Sequence, residues 1–255
     1  MIFVIGNGES RKDLDLNSLK EKGKTYGCNA LYRDFSPDYL LSIDANIMVE
    51  ILESGYCKNN QCYFSDWDLL PAEVYGGLSF NKEIHVGEKE RARKVSIFGE
   101  GLGDEVFVAW INDENITSFP NSLLVDCGVC AIRIASEHNP NETVYLLGFD
   151  LKNNEDGTNN NIYKNTNCYS SLPRPYDEQE VVWGILNRPC YSSLPRDESD
   201  KVGGYKKAID AIKTIIEKNP DTSYCRVDDT GYNPWDDLHN VRCIGIADFV
   251  NEINK

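Results

Sequence analysis

The chain has 255 residues, and its 41 acidic residues outnumber its 26 lysines and arginines, which gives a formal net charge of −15. Hydrophobic residues make up 41% of the chain, more than a disordered protein carries. No segment approaches the roughly 20 apolar residues that a membrane-spanning helix needs. The negative charge also disfavours a protein that works mainly by gripping nucleic-acid phosphates. We therefore expect one globular domain over residues 1–255.

Short apolar segments alternate with helix-like segments along the chain. The predicted strands, bounded by Gly, Asn or Asp, cover residues 2–5, 25–28, 39–43, 62–64, 95–98, 144–147 and 224–227. The predicted helices cover residues 16–22, 128–137, 205–216 and 246–253, of which 205–216 has the clearest 3.6-residue period. Several strands are continuous apolar runs, as in parallel sheets that are covered on both faces. The pattern predicts an α/β protein with a Rossmann-like, mostly parallel sheet flanked by helices.

Two regions interrupt this alternation. Residues 66–121 carry Gly, Pro and aromatic residues without a clear period, and we predict an irregular insertion there. Residues 152–203 are richer in Asn, Ser, Pro and Tyr, and we predict a lid or acceptor loop, since long loops are usually functional. The second region contains the heptapeptide CYSSLPR twice, at residues 168–174 and 190–196. This duplication indicates either a local copying event or a paired binding element.

The first residues and the cysteines indicate the compartment. The apolar run at residues 2–5 has no basic residue before it and is too short for a signal peptide. The nine cysteines are odd in number and scattered, as free thiols in a reducing compartment are. We therefore expect a cytoplasmic protein. Cys127 and Cys130 form a C-x-x-C pair without a second pair or a nearby histidine, so we predict no metal site there.

Polar residues follow each of the first three predicted strands. The first strand ends in the turn GNGES, whose glycines allow close approach of a ligand and whose backbone amides we expect to point outward. Open α/β sheets bind ligands at the carboxyl ends of their strands, and Asn and Asp can bind a base or a ribose. The turn is neither G-x-G-x-x-G nor a Walker loop. The sequence thus predicts a nucleotide or another phosphate-bearing ligand beside Gly6, Asn7, Gly8, Glu9, Ser10, Asn29 and Asp44.

Three stretches resemble the N-terminal half of the bacterial sialyltransferase-like superfamily, namely VIGNGESRKDLDL, YGCNALYRDF and PDYLLSID. That superfamily includes the sialyltransferases of lipooligosaccharide synthesis and the Maf-type flagellin glycosyltransferases. A further stretch, DCGVCA followed by ETVYLLGFD, is similar to a helix start and a strand of the same group. The resemblance covers residues 1–50 and 120–151. Archaeal pterin pyrophosphokinase-like proteins share parts of it, so it indicates a superfamily more than an activity.

The resemblance implies an inverting, metal-independent glycosyltransferase with a nucleotide-sugar donor, an acceptor hydroxyl and no other cofactor. It places Gly6, Asn7, Gly8 and Ser10 at the donor phosphate and sugar, Asn29 at the ribose or base, Cys127 and Gly128 at a phosphate, and Gly148 and Asp150 beside the donor sugar. It also implies that lid tyrosines, here Tyr163 and Tyr169, stabilise the leaving phosphate. The family's lid histidine has no counterpart between residues 139 and 238, so we predict His239 or Asp177 as the base. Glu9 stands where the family often has Pro.

The remaining candidates have a structural interpretation beside the functional one. His85 reads as a strand residue, and His138 ends a helix, where a cation suits the dipole. His239 has carboxylates and Trp235 nearby and is the best candidate for a general base. The basic run KERARK, residues 89–94, reads as a solvent-exposed face or as a contact for a phosphorylated acceptor or nucleic acid. The D-x-D spellings at Asp13–Asp15 and Asp66–Asp68 are too short to predict a metal site, and the first suits a helix start.

Two other functions stay open at this point. A pyrophosphokinase-like phosphoryl transferase would depend on ATP and Mg²⁺. A non-catalytic descendant would bind a nucleotide or a protein partner through residues 152–203. For a glycosyltransferase, the acceptor is either a glycan or a modified nucleic-acid base, and the net negative charge disfavours the nucleic acid.

Overall fold

The structure is a computed structural model, which describes residues 1–43, 45–65, 67–71, 94–99, 103–109, 115–119, 126–156, 158, 160–166, 168–169, 180–183, 189–192 and 205–255. The strands are β1 Ile2–Ile5, β2 Lys24–Cys28, β3 Tyr39–Ser42, β4 Cys62–Ser65, β5 Trp67–Pro71, β6 Lys94–Gly99, β7 Gly103–Ala109, β8 Ile116–Phe119, β9 Thr143–Leu147, β10 Glu180–Trp183, β11 Pro189–Ser192, β12 Ser223–Val227 and β13 Val241–Ile244. The α-helices are α1 Ala45–Glu53, α2 Cys127–His138, α3 Lys206–Lys218 and α4 Ile246–Ile253.

Eight of these strands form one parallel sheet in the order β13-β12-β9-β1-β2-β3-β4-β8. The chain first adds strands on one side of β1, as far as β8. It then places β9 on the other side of β1, with Ile5 beside Leu147, and continues outward to β13. The strand order therefore reverses between β1 and β9, which is where open α/β sheets bind their ligands. The predicted Rossmann-like, parallel α/β fold is confirmed.

Helices cover both faces of the sheet because the central strands are apolar on both sides. On one face, Phe3 and Ile5 pack with residues of α1 and with Phe249 of α4. On the other face, Val4 and Leu146 pack with residues of α2 and α3. All four of these side chains are 0% exposed to solvent, so the centre of the sheet is fully desolvated. In the described part of the chain, no helix is long and apolar enough to cross a membrane.

Six of the seven predicted strands belong to the parallel sheet, but residues 95–98 do not. They lie in β6, which pairs with β7 in a three-stranded antiparallel sheet of order β5-β7-β6. The predicted strand is confirmed, but it lies outside the parallel sheet, because a short apolar run does not specify its partner strand. Region 66–121 also contributes β8 to the main sheet, so it is not irregular throughout. In region 152–203, β10 and β11 form an antiparallel pair.

The helix predictions differ from the structure at two places. Residues 16–22 form only a short 3₁₀ helix at Leu16–Leu19, which begins at the N-cap Asp15. Helix α1 was not predicted, because its sequence ANIMVEILE follows directly on a strand without an obvious boundary signal. The other three predicted helices lie where the sequence places them, within two residues at each end.

Candidate functional site

The carboxyl edge of the sheet brings together the predicted ligand-binding residues. Helix α2 begins at this edge, since the Sγ of Cys127 donates to the carbonyl of Leu41 near the end of β3, at 3.0 Å. Gly128 follows on the same turn and lies against the ring of Phe149. The predicted residues that lie at this edge are Gly6, Asn7, Gly8, Glu9, Ser10, Asn29, Cys127, Gly128, Gly148 and Asp150. Asp44 lies outside the described residues.

The turns after β1 and β9 lie directly against each other. The N–H of Gly6 donates to the carbonyl of Leu147 at 2.8 Å, and that of Gly8 donates to the carbonyl of Gly148 at 3.0 Å. A Cβ on Gly6 would lie 2.7 Å from the Gly148 oxygen, closer than real Cβ contacts are. Gly148 itself has φ +68°, a conformation that favours glycine. Gly6 and Gly148 are thus required because the two backbone segments lie too close together to leave room for a Cβ.

Two further amides of the GNGES turn bind side chains from distant parts of the chain. The N–H of Glu9 donates to Oδ1 of Asn160 at 2.8 Å. The N–H of Ser10 donates to Oδ2 of Asp150 at 3.0 Å, and the Ser10 hydroxyl donates to Oδ1 of the same carboxylate. The prediction that the amides of this turn point outward is therefore wrong for Gly6, Gly8, Glu9 and Ser10. Their acceptors come from residues far along the chain, which the turn sequence could not indicate.

Two buried polar atoms at this edge have no hydrogen-bond partner among the described residues. One is Oδ1 of Asn7, whose backbone carbonyl accepts from the N–H of Ile162 at 2.9 Å. The other is the hydroxyl of Ser42, a fully buried residue at the end of β3. A buried polar atom without a partner is costly, and such atoms are often completed by a ligand or an ordered water. These two atoms therefore indicate where a polar ligand would be stabilised.

Left-handed backbone conformations also concentrate at this edge. Asn29, directly after β2, has φ +50°, and Leu151, four residues after β9, has φ +55°. For a residue with a bulky side chain such as Leu, this region is unfavourable by about 1–2 kcal/mol. Local strain of this kind persists where the surrounding structure fixes it, and it clusters at binding sites.

The two predicted lid tyrosines pack beside the GNGES turn. The Tyr163 hydroxyl donates to Oδ1 of Asp34 at 2.5 Å and accepts from Nη2 of Arg11 at 3.3 Å. Burial and the neighbouring Asp34 raise the pKa of Tyr163, so the phenol stays protonated. Its ring centroid is 6.0 Å from that of Tyr169, and the Arg33 guanidinium lies 5.9 Å from each ring centroid. Tyr163 thus lies near the turn, but its hydroxyl is already bound within the protein.

Residues 160–166 cross the GNGES turn and are fixed to it by several contacts. The Nζ of Lys164 pairs with the Glu9 carboxylate at 2.6 Å, and this ion pair lowers the pKa of Glu9. The Nδ2 of Asn154 lies 3.4 Å from the same carboxylate. Together with the Ile162 and Asn160 hydrogen bonds, these contacts hold the start of the predicted lid against the turn.

The structure separates the predicted base from the other candidates. His239 is exposed and lies two residues before β13, at the amino edge of the sheet, where the neighbouring Asn240 carbonyl accepts from the N–H of Tyr224. The candidate site lies at the carboxyl edge, a strand length away and three strands across. His239 is therefore removed from the candidate site. Asp177, the second predicted base, and His85 lie outside the described residues.

His138 also lies at the amino edge, in a cluster of three tyrosines. Its Nδ1 is 3.1 Å from the hydroxyl of Tyr26, and its ring packs against those of Tyr39 and Tyr63 at 5.6 Å. Burial lowers the pKa of His138, although the helix C-terminus by itself would favour a cation. Desolvation thus opposes the preference of the helix C-terminus for a cation, and the ring contacts with Tyr26, Tyr39 and Tyr63 give the partly exposed His138 a structural role at the end of α2.

The remaining motifs have structural roles where they are described. Cys127 and Cys130 are both buried in α2, and Asp15 caps the 3₁₀ helix. Within the residues that the structure describes, no group of three or more His, Cys, Asp or Glu side chains is placed to hold a metal. Residues 89–93 and most of both CYSSLPR copies lie outside those residues.

Two buried arginines at the strand ends were not predicted. Arg11 is 3% exposed, and its Nε donates to the Gly6 carbonyl at 2.5 Å. Arg226, at the end of β12, is 1% exposed, pairs with Asp228 and donates to the Phe149 carbonyl at 3.1 Å. A charged residue within the predicted strand 224–227 could have indicated that Arg226 has a special role. For Arg11, the sequence offered only its position directly after the GNGES turn.

Comparisons with protein-family models, with curated proteins and with solved structures found no match. The fold and the site therefore define the class of protein by themselves. It is a doubly wound, parallel α/β protein in which polar strand-end residues meet at the point where the strand order reverses.

Proposed function

We propose that the protein is a glycosyltransferase that moves a sugar from a nucleotide-sugar donor to an acceptor hydroxyl. The donor would bind at the carboxyl ends of β1, β2 and β9. The observation that carries the proposal is the buried Oδ1 of Asn7, which has no hydrogen-bond partner in the described part of the chain. An amide oxygen accepts hydrogen bonds, so the ligand group that completes it is a hydroxyl or an amine, as a ribose or a base provides.

The surrounding contacts support a preformed site. Asp150 fixes Ser10 through two hydrogen bonds, and the Gly6–Gly148 contact fixes the two central turns against each other. A site whose backbone is held in place before binding loses little conformational entropy when the ligand arrives. The N-terminus of α2 faces the same edge, and its dipole already attracts the carboxylate of Asp126, which accepts from the N–H of Val129 at 2.9 Å. The fixed turns and the buried Oδ1 of Asn7 suit a polar ligand such as a nucleotide.

In the proposed reaction, the acceptor hydroxyl attacks the anomeric carbon of the donor sugar. Its proton passes to a base, and the nucleotide leaves with the electrons of the glycosidic bond. We expect the base to come from region 152–203, because His239 lies at the opposite edge of the sheet. The reaction would take place in the cytoplasm, without a metal, on a glycan or another hydroxyl acceptor.

The first test is thermal unfolding with CMP, UDP, GDP, TDP and ATP, each with and without Mg²⁺. A ligand at 100 times its Kd stabilises by about 2.7 kcal/mol, which is a shift of about 2–4 °C for a chain of this size. Stabilisation by CMP or a nucleoside diphosphate in EDTA supports the proposal. A response to ATP only with Mg²⁺ would favour a pyrophosphokinase-like activity instead. No response to any nucleotide would contradict the proposal.

The second test uses Asn7→Ala and Asn7→Asp, with Asn17→Ala as the control. We expect Asn7→Ala to weaken binding of the stabilising nucleotide by roughly tenfold, the value of one good hydrogen bond to a buried group. Asn7→Asp keeps the acceptor oxygens but adds a negative charge at a site proposed for an anionic ligand, so it should bind the nucleotide no better than Asn7→Ala. Asn17 is exposed, so its exchange should have no effect. Unchanged affinity in Asn7→Ala would refute the site assignment.

A further inference from the structure

Arg11 differs from the other arginines that the structure describes with their side chains. Each of those four has a carboxylate within 4.0 Å, in the pairs Arg33–Glu50, Arg133–Glu137, Arg226–Asp228 and Arg242–Glu252. Arg11 is only 3% exposed, yet no carboxylate among the described residues lies within that distance of it. A buried charge without a paired opposite charge is unusual, because desolvation is costly.

The direct hydrogen-bond partners of Arg11 carry no negative charge. Its Nε donates to the Gly6 carbonyl at 2.5 Å, and its Nη2 donates to the Tyr163 hydroxyl at 3.3 Å. Both partners are neutral, since the pKa of Tyr163 is raised by burial and by Asp34. Two carboxylates lie further out: the exposed Asp34, which binds the other side of that hydroxyl, and the buried Asp150, which binds the adjacent Ser10. Neither forms an ion pair with Arg11.

The Arg11 side chain lies at the carboxyl ends of the two central strands, β1 and β9. Gly6 is the first residue after β1, and the stem of Arg11 lies against Gly148, the first residue after β9. Asn7, whose buried Oδ1 has no partner in the described part of the chain, is bonded directly to Gly6. The guanidinium therefore lies under the point where the strand order reverses, within a protein whose net charge is −15.

We propose that Arg11 is a specificity-determining residue, whose positive charge, without a direct ion-pair partner among the described residues, selects phosphate-bearing ligands at the carboxyl edge. This inference rests on the proposed function, since it concerns the phosphate of the same donor. Arg11 does not touch the ligand. Its positive charge attracts the phosphate across the backbone of the turn. The phosphate supplies a negative charge for the guanidinium, and the low dielectric around the buried guanidinium keeps their attraction from being screened.

The experiment compares wild type, Arg11→Met, Arg11→Lys and Arg242→Met by calorimetric titration in EDTA. The probes are inorganic pyrophosphate and the series cytidine, CMP and CDP. Arg11→Met removes the charge, Arg11→Lys keeps it without the planar guanidinium, and Arg242→Met makes the same net-charge change at the outer strand β13. If Arg11→Met does not fold, as circular dichroism would reveal, Arg11→Gln replaces it, because its amide can still donate to Gly6.

We expect Arg11→Met to weaken pyrophosphate binding roughly tenfold, because the attraction between the guanidinium and the negative charges of the ligand is lost. The loss should grow from cytidine to CMP to CDP, while Arg11→Lys keeps most of the affinity and Arg242→Met stays within about twofold of wild type. Equal losses in Arg11→Met and Arg11→Lys, or equal losses for cytidine and CDP, would overturn the inference and leave nucleotide binding intact. Pyrophosphate binding that depends on Arg11, with no binding of any nucleotide, would sustain the inference and contradict the proposed function. Absence of pyrophosphate binding to wild type would overturn the inference.

Discussion

The carboxylate of Asp150 binds Ser10 twice, through the backbone N–H and through the side-chain hydroxyl. The two residues are far apart in the chain, yet they join the turn after β1 to the turn after β9. Asp150 is 5% exposed, and both of its oxygens are used in this contact. The residue predicted to lie beside the donor sugar therefore acts in this structure as a brace for the donor turn.

Exchange of Asp150 for Ala should destabilise the protein by about 1–3 kcal/mol, because the N–H and the hydroxyl of Ser10 would then lose their common acceptor. Urea unfolding measures this loss. Asp15→Ala is the matched control, because Asp15 caps a short 3₁₀ helix at the surface and its exchange should cost about 1 kcal/mol or less. Equal effects of the two exchanges would show that Asp150 is not a brace.

Gly148→Ala should be more damaging than Gly231→Ala, although both glycines have nearly the same positive φ, +68° and +67°. A Cβ on Gly231 meets nothing within 4 Å, so that variant reports only the backbone cost of about 1 kcal/mol. A Cβ on Gly148 would lie 2.9 Å from the Gly6 oxygen, which adds the cost of overpacking for a total of about 2–4 kcal/mol. Denaturant midpoints of the two variants test the difference, and equal midpoints would contradict the close approach.

Breaking the buried pair of Arg226 and Asp228 on one side should cost about 3–5 kcal/mol, because the remaining charge is left without its partner. The double variant Arg226→Met with Asp228→Asn should be more stable than Arg226→Met alone. A double-mutant cycle by urea unfolding gives the coupling energy. Additive effects would mean that the two side chains do not depend on each other.

Acid should weaken the fold through His138. The pKa of His138 in the folded protein is lowered from its ordinary 6.5, mainly by burial, so folding favours the neutral imidazole. Asn139 donates to the Tyr26 hydroxyl, which leaves the proton of that hydroxyl for Nδ1 of His138. This contribution to stability is complete above pH 6.5 and is lost as the pH falls through the folded pKa. The groups that face the imidazole are Tyr26, Tyr39, Tyr63, Lys24 and Glu137.

The test compares wild type with His138→Gln, which can accept the same hydrogen bond but does not titrate. The difference in free energy of unfolding between the two should be constant above pH 7 and should shift against wild type below pH 6. Other groups that titrate in this range affect both proteins alike. A difference that does not change with pH would mean that His138 titrates equally in the folded and unfolded chains.

The sequence predicted the parallel strands well where a buried run is short, β-branched and bounded by turn residues, as β1, β9 and β12 are. It did not predict β8 and β13, because ITSF and VRCI are four-residue segments whose strand conformation comes from pairing with a neighbour. Residues 95–98 were predicted as a strand and form one, but an apolar run indicates burial and does not indicate the direction of the partner strand.

For the candidate site, the sequence located its edge but not its contacts. Parallel strands end at one edge, so polar residues after several strands had to meet there. The partners of the GNGES turn come from Asn160, Ile162 and Lys164, more than 140 residues later, and no local pattern indicates such pairings. His239 was chosen for its neighbours in sequence, and the fold carries it to the other edge of the sheet.

The connection between β4 and β8 also bears on how the chain folds. These strands are neighbours in the parallel sheet, yet about 50 residues separate them, including the antiparallel sheet β5-β7-β6. Closing a loop of that length costs about 1.4 kcal/mol more than closing one of ten residues. β8 also lies at the outer edge of the parallel sheet and pairs there with β4, so the contacts that offset this cost come from one side. We therefore expect the amide hydrogens of β8 to exchange with solvent before those of β1 and β9, because the outer strand can detach while the centre of the sheet stays folded.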